Sequence, residues 1–454
     1  MASKSNALDM TVGKPIVLMA KFAIPMMIGS IFQSLYTMVD SAVLGKYVGS
    51  EALAAIGATS STTSFILLFA MSVTSAISIV MSQYVGADNR LKVRQSLVSS
   101  IYILLFLGVV LGAIGVFGAA PIMRLLGTPE NIFDMSVLYI QLICGFGIAQ
   151  FAYNGVASVL RALGDSTTPL IFLIICSFLN VGLDLFAVLV LNMGVSGVAV
   201  ATIGSQAVSA VICIIVMFRK FPELKLSKTD MIPDRQVTKQ IFVMGFQLAL
   251  QSALLSVGMM VITAIINKYG SDIVAAYTVG SNVQNLAVVL FSGFSFGFSV
   301  YVGQNYGAKK ADRIKLGVRQ IVLLVGGLSL FACLLTQIFA EPLVSLYVNA
   351  DETAVIKASL EFIRIEAWFF PMLGWIWLYL NTLKGMGKIT VTFISSLIEL
   401  GSKIGFSIAL PIWFGYAGIW WAAPLGWVLG NIPNLLYYYS GRWTRDFSGE
   451  SHSV

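Results

Sequence analysis

The chain has 454 residues, 57% of them hydrophobic and 11% charged, where a soluble domain has roughly a quarter charged; its mean hydropathy is +0.87. No soluble core hides so much apolar side chain, so the composition excludes a soluble enzyme or binding module and implies a polytopic helical membrane protein. The net charge of +7 does not point to nucleic acid, because the basic residues gather in short loops between apolar runs.

The first apolar run, from about Lys14 to Val43, is too long for the core of a signal peptide and has no convincing cleavage site. Apolar runs recur near 16–44, 53–82, 96–118, 134–158, 168–191 and 196–218, and again near 240–267, 275–303, 318–340, 357–384, 389–412 and 416–440. Each is long enough to cross a bilayer as a helix, which predicts twelve spans. Counting the termini and every second loop as one side places 21 basic residues there and 4 on the other. The positive-inside rule then puts both termini in the cytoplasm. The expected organisation is a segment 1–14, an N-lobe 15–218, a basic linker 219–239, a C-lobe 240–440 and a tail 441–454.

Polar residues inside the spans carry the functional signal. Span 1 contains Pro25, which permits a kink, and Asp40 towards its outer end. Span 4 contributes Tyr139; span 5 contributes Asn180 and Asp184 one turn apart; span 6 contributes Thr202. A carboxylate in hydrocarbon costs several kcal/mol unless compensated, so by default it marks a pathway or coupling site. These five groups from four helices lie at similar predicted depth. Their oxygens could ligate Na⁺, or Asp40 and Asp184 could share and release a proton. In the second half, Glu399 and Lys403 are one turn apart on span 11 and form a possible C-lobe charge pair, while Glu361, Arg364 and Glu366 sit on span 10. All eight tryptophans follow residue 360 and are read mainly as interfacial belts and bilayer contacts. The four cysteines fall within apolar spans without metal-ligand spacing. The only histidine is His452 in the tail, and no nucleophile elbow, phosphate loop or metal motif is present, so no enzyme is expected.

The second half repeats the first. SQYVGADNRLKVRQ (82–95) is echoed by GQNYGAKKADRIKLGVRQ (303–320), KYVGSEALAA (46–55) by KYGSDIVAA (268–276), LRALGD (160–165) by LKGMGK (383–388), and MGVSGVAVA (193–201) by FGYAGIWWA (414–422). Six spans per half give both halves the same orientation, hence an all-α fold of two six-helix bundles related by a pseudo-two-fold axis along the membrane normal. Such parallel repeats are a transporter plan. Aligned through these motifs, Asp40 corresponds to Ile262, Asn180 to Lys403 and Asp184 to Ser407. The acidic site has no counterpart, so the fold does not require it.

The opening FAIPMMIGSIFQSLYTMVDSAVLG, the loop GQNYGA after span 8, LRALGDSTTP after span 4 and the two six-span halves together resemble the multidrug and toxic compound extrusion (MATE) family over nearly the whole chain, most of all its DinF-like branch. The resemblance implies a V-shaped pair of lobes, alternating access and antiport of hydrophobic, often cationic, organic compounds. It implies no cofactor beyond a transported H⁺ or Na⁺. Asp40, Asn180, Asp184, Thr202 and Tyr139 match residues regarded as the N-lobe cation or proton site; Gln33, Asn154 and Ser177 fall at positions associated with the same cavity. The NorM-like branch also has acidic residues on spans 7 and 10, where this chain aligns Leu255 and Leu373. Coupling through the N-lobe is therefore expected, to H⁺ rather than to Na⁺ held by Asp40, Asn180, Asp184 and Thr202. A monomer in the cell membrane, taking drug-like organic cations, completes the expectation. A flippase or exporter of lipid-linked oligosaccharides or metabolites, from the same superfamily, is the alternative.

Overall fold

The computed structural model describes residues 7–447, except the side chains of residues 34–38, 40–42, 44, 45, 50, 53, 228 and 229. Lys4, His452 and the carboxylate of Asp40 thus lie outside the described residues. Within them the chain is helical with no strand, as expected where hydrocarbon offers no partner for backbone N–H and C=O groups.

Spans 1 to 3 are α1 (Pro15–Val43), α2 (Ser50–Gly86) and α3 (Arg90–Leu125). Span 4 is divided into α4 (Glu130–Gly145) and α5 (Ile148–Ala162), bent by 45°. Spans 5 and 6 are α6 (Thr167–Leu185) and α7 (Gly194–Lys220). The second half follows with α8 (Arg235–Ile266), α9 (Ser271–Gly307), α10 (Ala311–Ile338) and the short α11 (Ala340–Ser345). Span 10 is divided like span 4, into α12 (Thr353–Ala367) and α13 (Phe370–Gly385), with Pro371 in the first turn of the second piece. Span 11 is α14 (Ile389–Ala409); single turns α15 (Pro411–Phe414) and α16 (Ala417–Trp420) lead into span 12, α17 (Ala422–Tyr439). Among the described residues nine helices are long and apolar enough to cross a bilayer on their own, and ten with the bent α4–α5 pair. The divided α12–α13, which carries five charged residues, and the short α17 complete the layout of twelve. The 37-residue α2 and α9 are each about 55 Å long and so outreach the hydrocarbon. α1 stays helical through Pro25.

The sequence repeat is also a backbone repeat. Gly49 and Gly270 precede α2 and α9 with φ of 114° and 91°, and Gly164 and Gly387 follow α5 and α13 with φ of 86° and 76°. Side chains rarely adopt that region. At Gly164 a Cβ would also lie 2.1 Å from the Leu8 carbonyl oxygen, where the Leu8 amide donates to the Gly164 carbonyl at 3.1 Å.

Packing divides the chain into two compact units. The first comprises Ile28–Ala249 and the described residues before Met10; the second comprises Met10–Met27 and Leu250 onward. Both α1 and α8 therefore begin in one unit and end in the other. In the second unit, the Met10 amide donates to Gln304 Oε1 (3.0 Å) and the Ile16 amide to Gln320 Oε1 (3.2 Å), while Arg313 donates to the carbonyls of Met10 (3.1 Å) and Gly13 (2.9 Å). A Cβ on Gly293 would lie 2.1 Å from Met27, so glycine there is what lets α1 press onto α9. In the first unit the start of α8 is held in the same manner: the Tyr84 hydroxyl donates to Gln240 Oε1 (3.0 Å) and the Thr238 hydroxyl to Ser99 Oγ (2.8 Å).

The linker before α8 is pinned by charge. Asp230 pairs with Arg94 (3.4 Å), and Asp234 pairs with Lys92 (3.0 Å) while accepting from the Val237 amide (2.8 Å) as an N-cap. Hydrogen bonds from the Ser227 amide and hydroxyl hold the Asp230 carboxyl below its ordinary range, and those from the Val237 amide and Lys92 do the same for Asp234. The tryptophans divide. Trp368, Trp413 and Trp421 are exposed and fit the expected bilayer contacts, whereas Trp420, Trp427 and Trp443 are buried in the second unit.

Candidate functional site

Asn180 and Asp184 occupy one face of α6 and are both fully buried. Their burial follows from i, i+4 spacing on a helix packed against α7. The Asn180 amide donates to Thr202 Oγ1 on α7, at 3.4 Å. The amide–hydroxyl contact thus lies one helical turn from the buried carboxyl, and carboxyl, amide and hydroxyl oxygens are groups able to hold a proton or a small monovalent cation. Tyr139 of α4 is half-buried against Val188, Val195 and Val198, and Val198 lies one turn before Thr202 on α7. Asn180, Asp184 and Thr202 thus lie on the packed pair α6 and α7, and Tyr139 reaches the same α7 through the Val198 cluster.

Two features of this region have no sequence signature. α6 passes directly from Leu185 into a π-helical turn, Phe186–Val190, and α1 passes from Val43 into another, Leu44–Val48. Each turn follows within a few residues of a carboxylate position, Asp184 or Asp40, and the two turns touch. π-turns insert one extra residue per turn, widen the helix and recur at functional sites. The backbone thereby brings the C-terminal ends of the two acid-bearing helices side by side, although the Asp40 side chain itself lies outside the described residues.

The residues matched to the cavity by resemblance are more dispersed. Ser177 lies one turn before Asn180 on α6 and donates to the Leu173 carbonyl (2.8 Å); Asn154, half-buried on α5, donates to the Gln150 carbonyl (2.9 Å); Gln33 is exposed on α1. Pro25 is half-buried on the part of α1 that belongs to the second unit.

In the second unit Lys403 donates to Glu399 Oε1 at 2.6 Å and stands 5.7 Å from the centroid of the Trp427 ring. A second carboxylate of this unit, Glu366 of α12, is only 3% exposed. Arg364, two residues away, instead meets Glu341 at 3.5 Å on an exposed surface.

Comparison with known proteins completes the picture. The family model MatE matches residues 25–186 and 248–409, once in each half. The Bacillus subtilis protein named "Probable multidrug resistance protein YpnP" is 26% identical over 96% of this chain and 98% of its own length. DNA damage-inducible protein F of Escherichia coli is 24% identical over 56% of this chain and 55% of its own. Among solved structures, a MOP superfamily transporter from Pyrococcus furiosus superposes with a TM-score of 0.89 at 20% identity, over 97% of this chain and 98% of that one. A MATE protein in a bent conformation superposes with a TM-score of 0.91, also at 20% identity, over 99% of this chain and all of that one. Helical bundles, a repeat that the family model matches in both halves and full-length relatives together place this chain in the MatE family of multidrug efflux transporters.

Proposed function

We propose that the protein is a secondary active exporter that antiports hydrophobic, cationic organic compounds against H⁺, with its coupling site at Asp40, Asp184, Asn180, Thr202 and Tyr139. The observation that carries this is Asp184, a fully buried carboxyl beside the Asn180–Thr202 contact. Keeping an acid there costs stability and the repeat does without it. In this mechanism a proton from outside neutralises Asp40 or Asp184; the outer ends of α1 and α6 repack through their π-turns, α1 bends near Pro25, and drug leaves. The empty protein turns inward and releases the proton. Coupling requires that drug and proton favour opposite states. Protons rather than Na⁺ are favoured because the set has two carboxyls that can exchange charge and few other strong ligands. The setting is the cell membrane, with both termini cytoplasmic and the monomer as the working unit.

The test is ethidium efflux from proteoliposomes under an imposed pH gradient and then an imposed Na⁺ gradient, for wild type, Asp40→Asn and Asp184→Asn. The expected result is efflux driven by the pH gradient and lost in both variants. Efflux driven by Na⁺ alone would make the same oxygens a metal-ion site, and unimpaired pH-driven efflux in Asp184→Asn would remove the coupling site from the first unit.

A further inference from the structure

One face of α14 is polar along its whole length. Thr392, Ser395, Ser396, Glu399, Lys403 and Ser407 recur at helical spacing, which runs a continuous stripe from one end of span 11 to the other. All but Lys403 are at least nine-tenths buried. The stripe faces α17, where glycine makes the contact possible: a Cβ on Gly426 would lie 2.4 Å from Lys403 Cγ, and one on Gly430 would lie 2.6 Å from Glu399 Cβ. The ion pair is therefore clamped on bare backbone, and Ser395 donates to the Gly430 carbonyl at 2.6 Å.

Several buried polar atoms around this stripe have no protein partner: Oε1 of Gln251 on α8, Oδ1 of Asn431 and Asn434 on α17, Oγ of Ser407 and Oε2 of Glu366. Buried groups of this kind are normally satisfied by something. Glu366 is the one that carries charge. Lys403 of α14 and Tyr277 of α9 are near enough to interact with it electrostatically. Lys403, however, is already committed to Glu399 at 2.6 Å. Of the other charges on α12, Lys357 is exposed, Glu361 interacts with Tyr416 and Arg364 meets Glu341. From α16, Trp420 presents an indole N–H that is likewise buried and unbonded. The cluster thus holds two carboxylates and one ammonium, with the ammonium assigned.

We propose that Glu366 is a proton-binding group of the second unit, reached along the polar face of α14 and set apart by the fixed Glu399–Lys403 pair. A proton from bulk water adds to a Glu366 carboxyl oxygen and leaves by the same route. It converts a buried carboxylate with an unbonded oxygen into a neutral donor and removes the excess negative charge of the cluster. Glu366 lies on α12, which belongs to the repeat of span 4, and the polar face leading to it lies on α14, the repeat of α6. The site uses different residues from those of the first unit, so it stands whether or not coupling runs through Asp40 and Asp184.

Infrared difference spectra of the full chain in lipid nanodiscs, stepped from alkaline to acid pH, test this. In wild type a protonated-carboxyl C=O band should appear that is absent from Glu366→Gln and shifted in frequency in Glu366→Asp. The double variant Asp40→Asn/Asp184→Asn should keep that band. In Glu399→Gln, Lys403 is freed to pair with Glu366, and the band should appear only at more acid pH. Spectra of Glu366→Gln and Glu366→Asp indistinguishable from wild type would overturn the proposal. So would loss of the same band in the double variant, which would assign the proton to the first unit.

Discussion

α6 and α14 are the same helix of the two repeats, and they handle intramembrane polarity in opposite ways. On α6 the buried face carries Asn180 and Asp184, with an amide–hydroxyl contact across to Thr202 as the local partner. On α14 the aligned face carries Lys403 and Ser407, and Lys403 is neutralised one turn back by Glu399 and clamped by the glycines of α17. The first arrangement buries a carboxyl one turn from an amide–hydroxyl contact. The second locks a charge into a pair. Both sit on one scaffold, so the scaffold dictates neither, and the difference is chemical.

The largest expected effect is on the α6 side of this comparison. Asp184→Asn should reduce gradient-driven efflux to the level of empty liposomes while leaving the thermal melt close to wild type, because it removes a titrating group without opening a cavity. On the paired side the outcome should reverse. Lys403→Met leaves the buried Glu399 without its cation and should cost about 3–5 kcal/mol, as breaking a buried pair does, seen as a lowered melting temperature in detergent. Removing both charges together in Lys403→Met/Glu399→Leu should recover most of that loss; failure to recover would show that the pair does more than neutralise itself.

A second contrast between the repeats is sharper because the polarity is inverted. After α5, Asp165 accepts from Lys220 (2.6 Å) and from the Thr168 amide (3.0 Å) and hydroxyl. At the aligned position after α13 stands Lys388, which pairs with Asp446 (2.7 Å) beyond α17. Each joint ties the loop following a divided span to the chain at or just beyond the sixth span of its repeat. Asp165 is buried whereas Asp446 is about one-third exposed. Asp165→Asn should therefore cost about 1–3 kcal/mol and Asp446→Asn about 0–1 kcal/mol, compared by thermal melts of the two variants. Equal costs would mean that burial does not separate the joints.

The smallest effect is in the linker. Asp230 and Asp234 are held below the ordinary carboxylate range by hydrogen bonds, Asp230 chiefly from Ser227 and Asp234 chiefly from the Val237 amide and Lys92. Groups whose carboxyl is depressed in the folded state contribute stability above the ordinary value of 3.8 and lose it as pH falls through their lowered values. Amide exchange of the linker, corrected for its intrinsic pH dependence, should hold constant from neutral pH down to the ordinary carboxylate range and increase only below it. Loss of protection already near neutral pH would contradict this.

Much of the architecture was legible in the sequence. Apolar runs and flanking charges mark the spans because partition into a bilayer is a local property of some twenty residues. The repeat was legible because turns that need a left-handed residue keep glycine, as at Gly49 and Gly270. The polar positions of α6 and α7 could be grouped by depth for the same reason. The pairing of Lys403 with Glu399 was readable from a spacing of one turn. Glu366 was not, since its isolation depends on Arg364 turning to Glu341 and on Lys403 being taken by Glu399, choices made between helices.

By itself, then, the sequence determined that this is a membrane protein of twelve spans in two like halves, with acids in the first half that the second lacks. Tertiary structure alone decided that α1 and α8 each begin in one unit and end in the other, that π-turns follow both acid positions of the first unit, and that Glu366 is buried beside an ion pair that leaves it out. The physical reason is range. Hydropathy and turn propensity are summed over neighbours in the chain, whereas the partner of a buried charge is whichever group helix packing brings within a few ångströms.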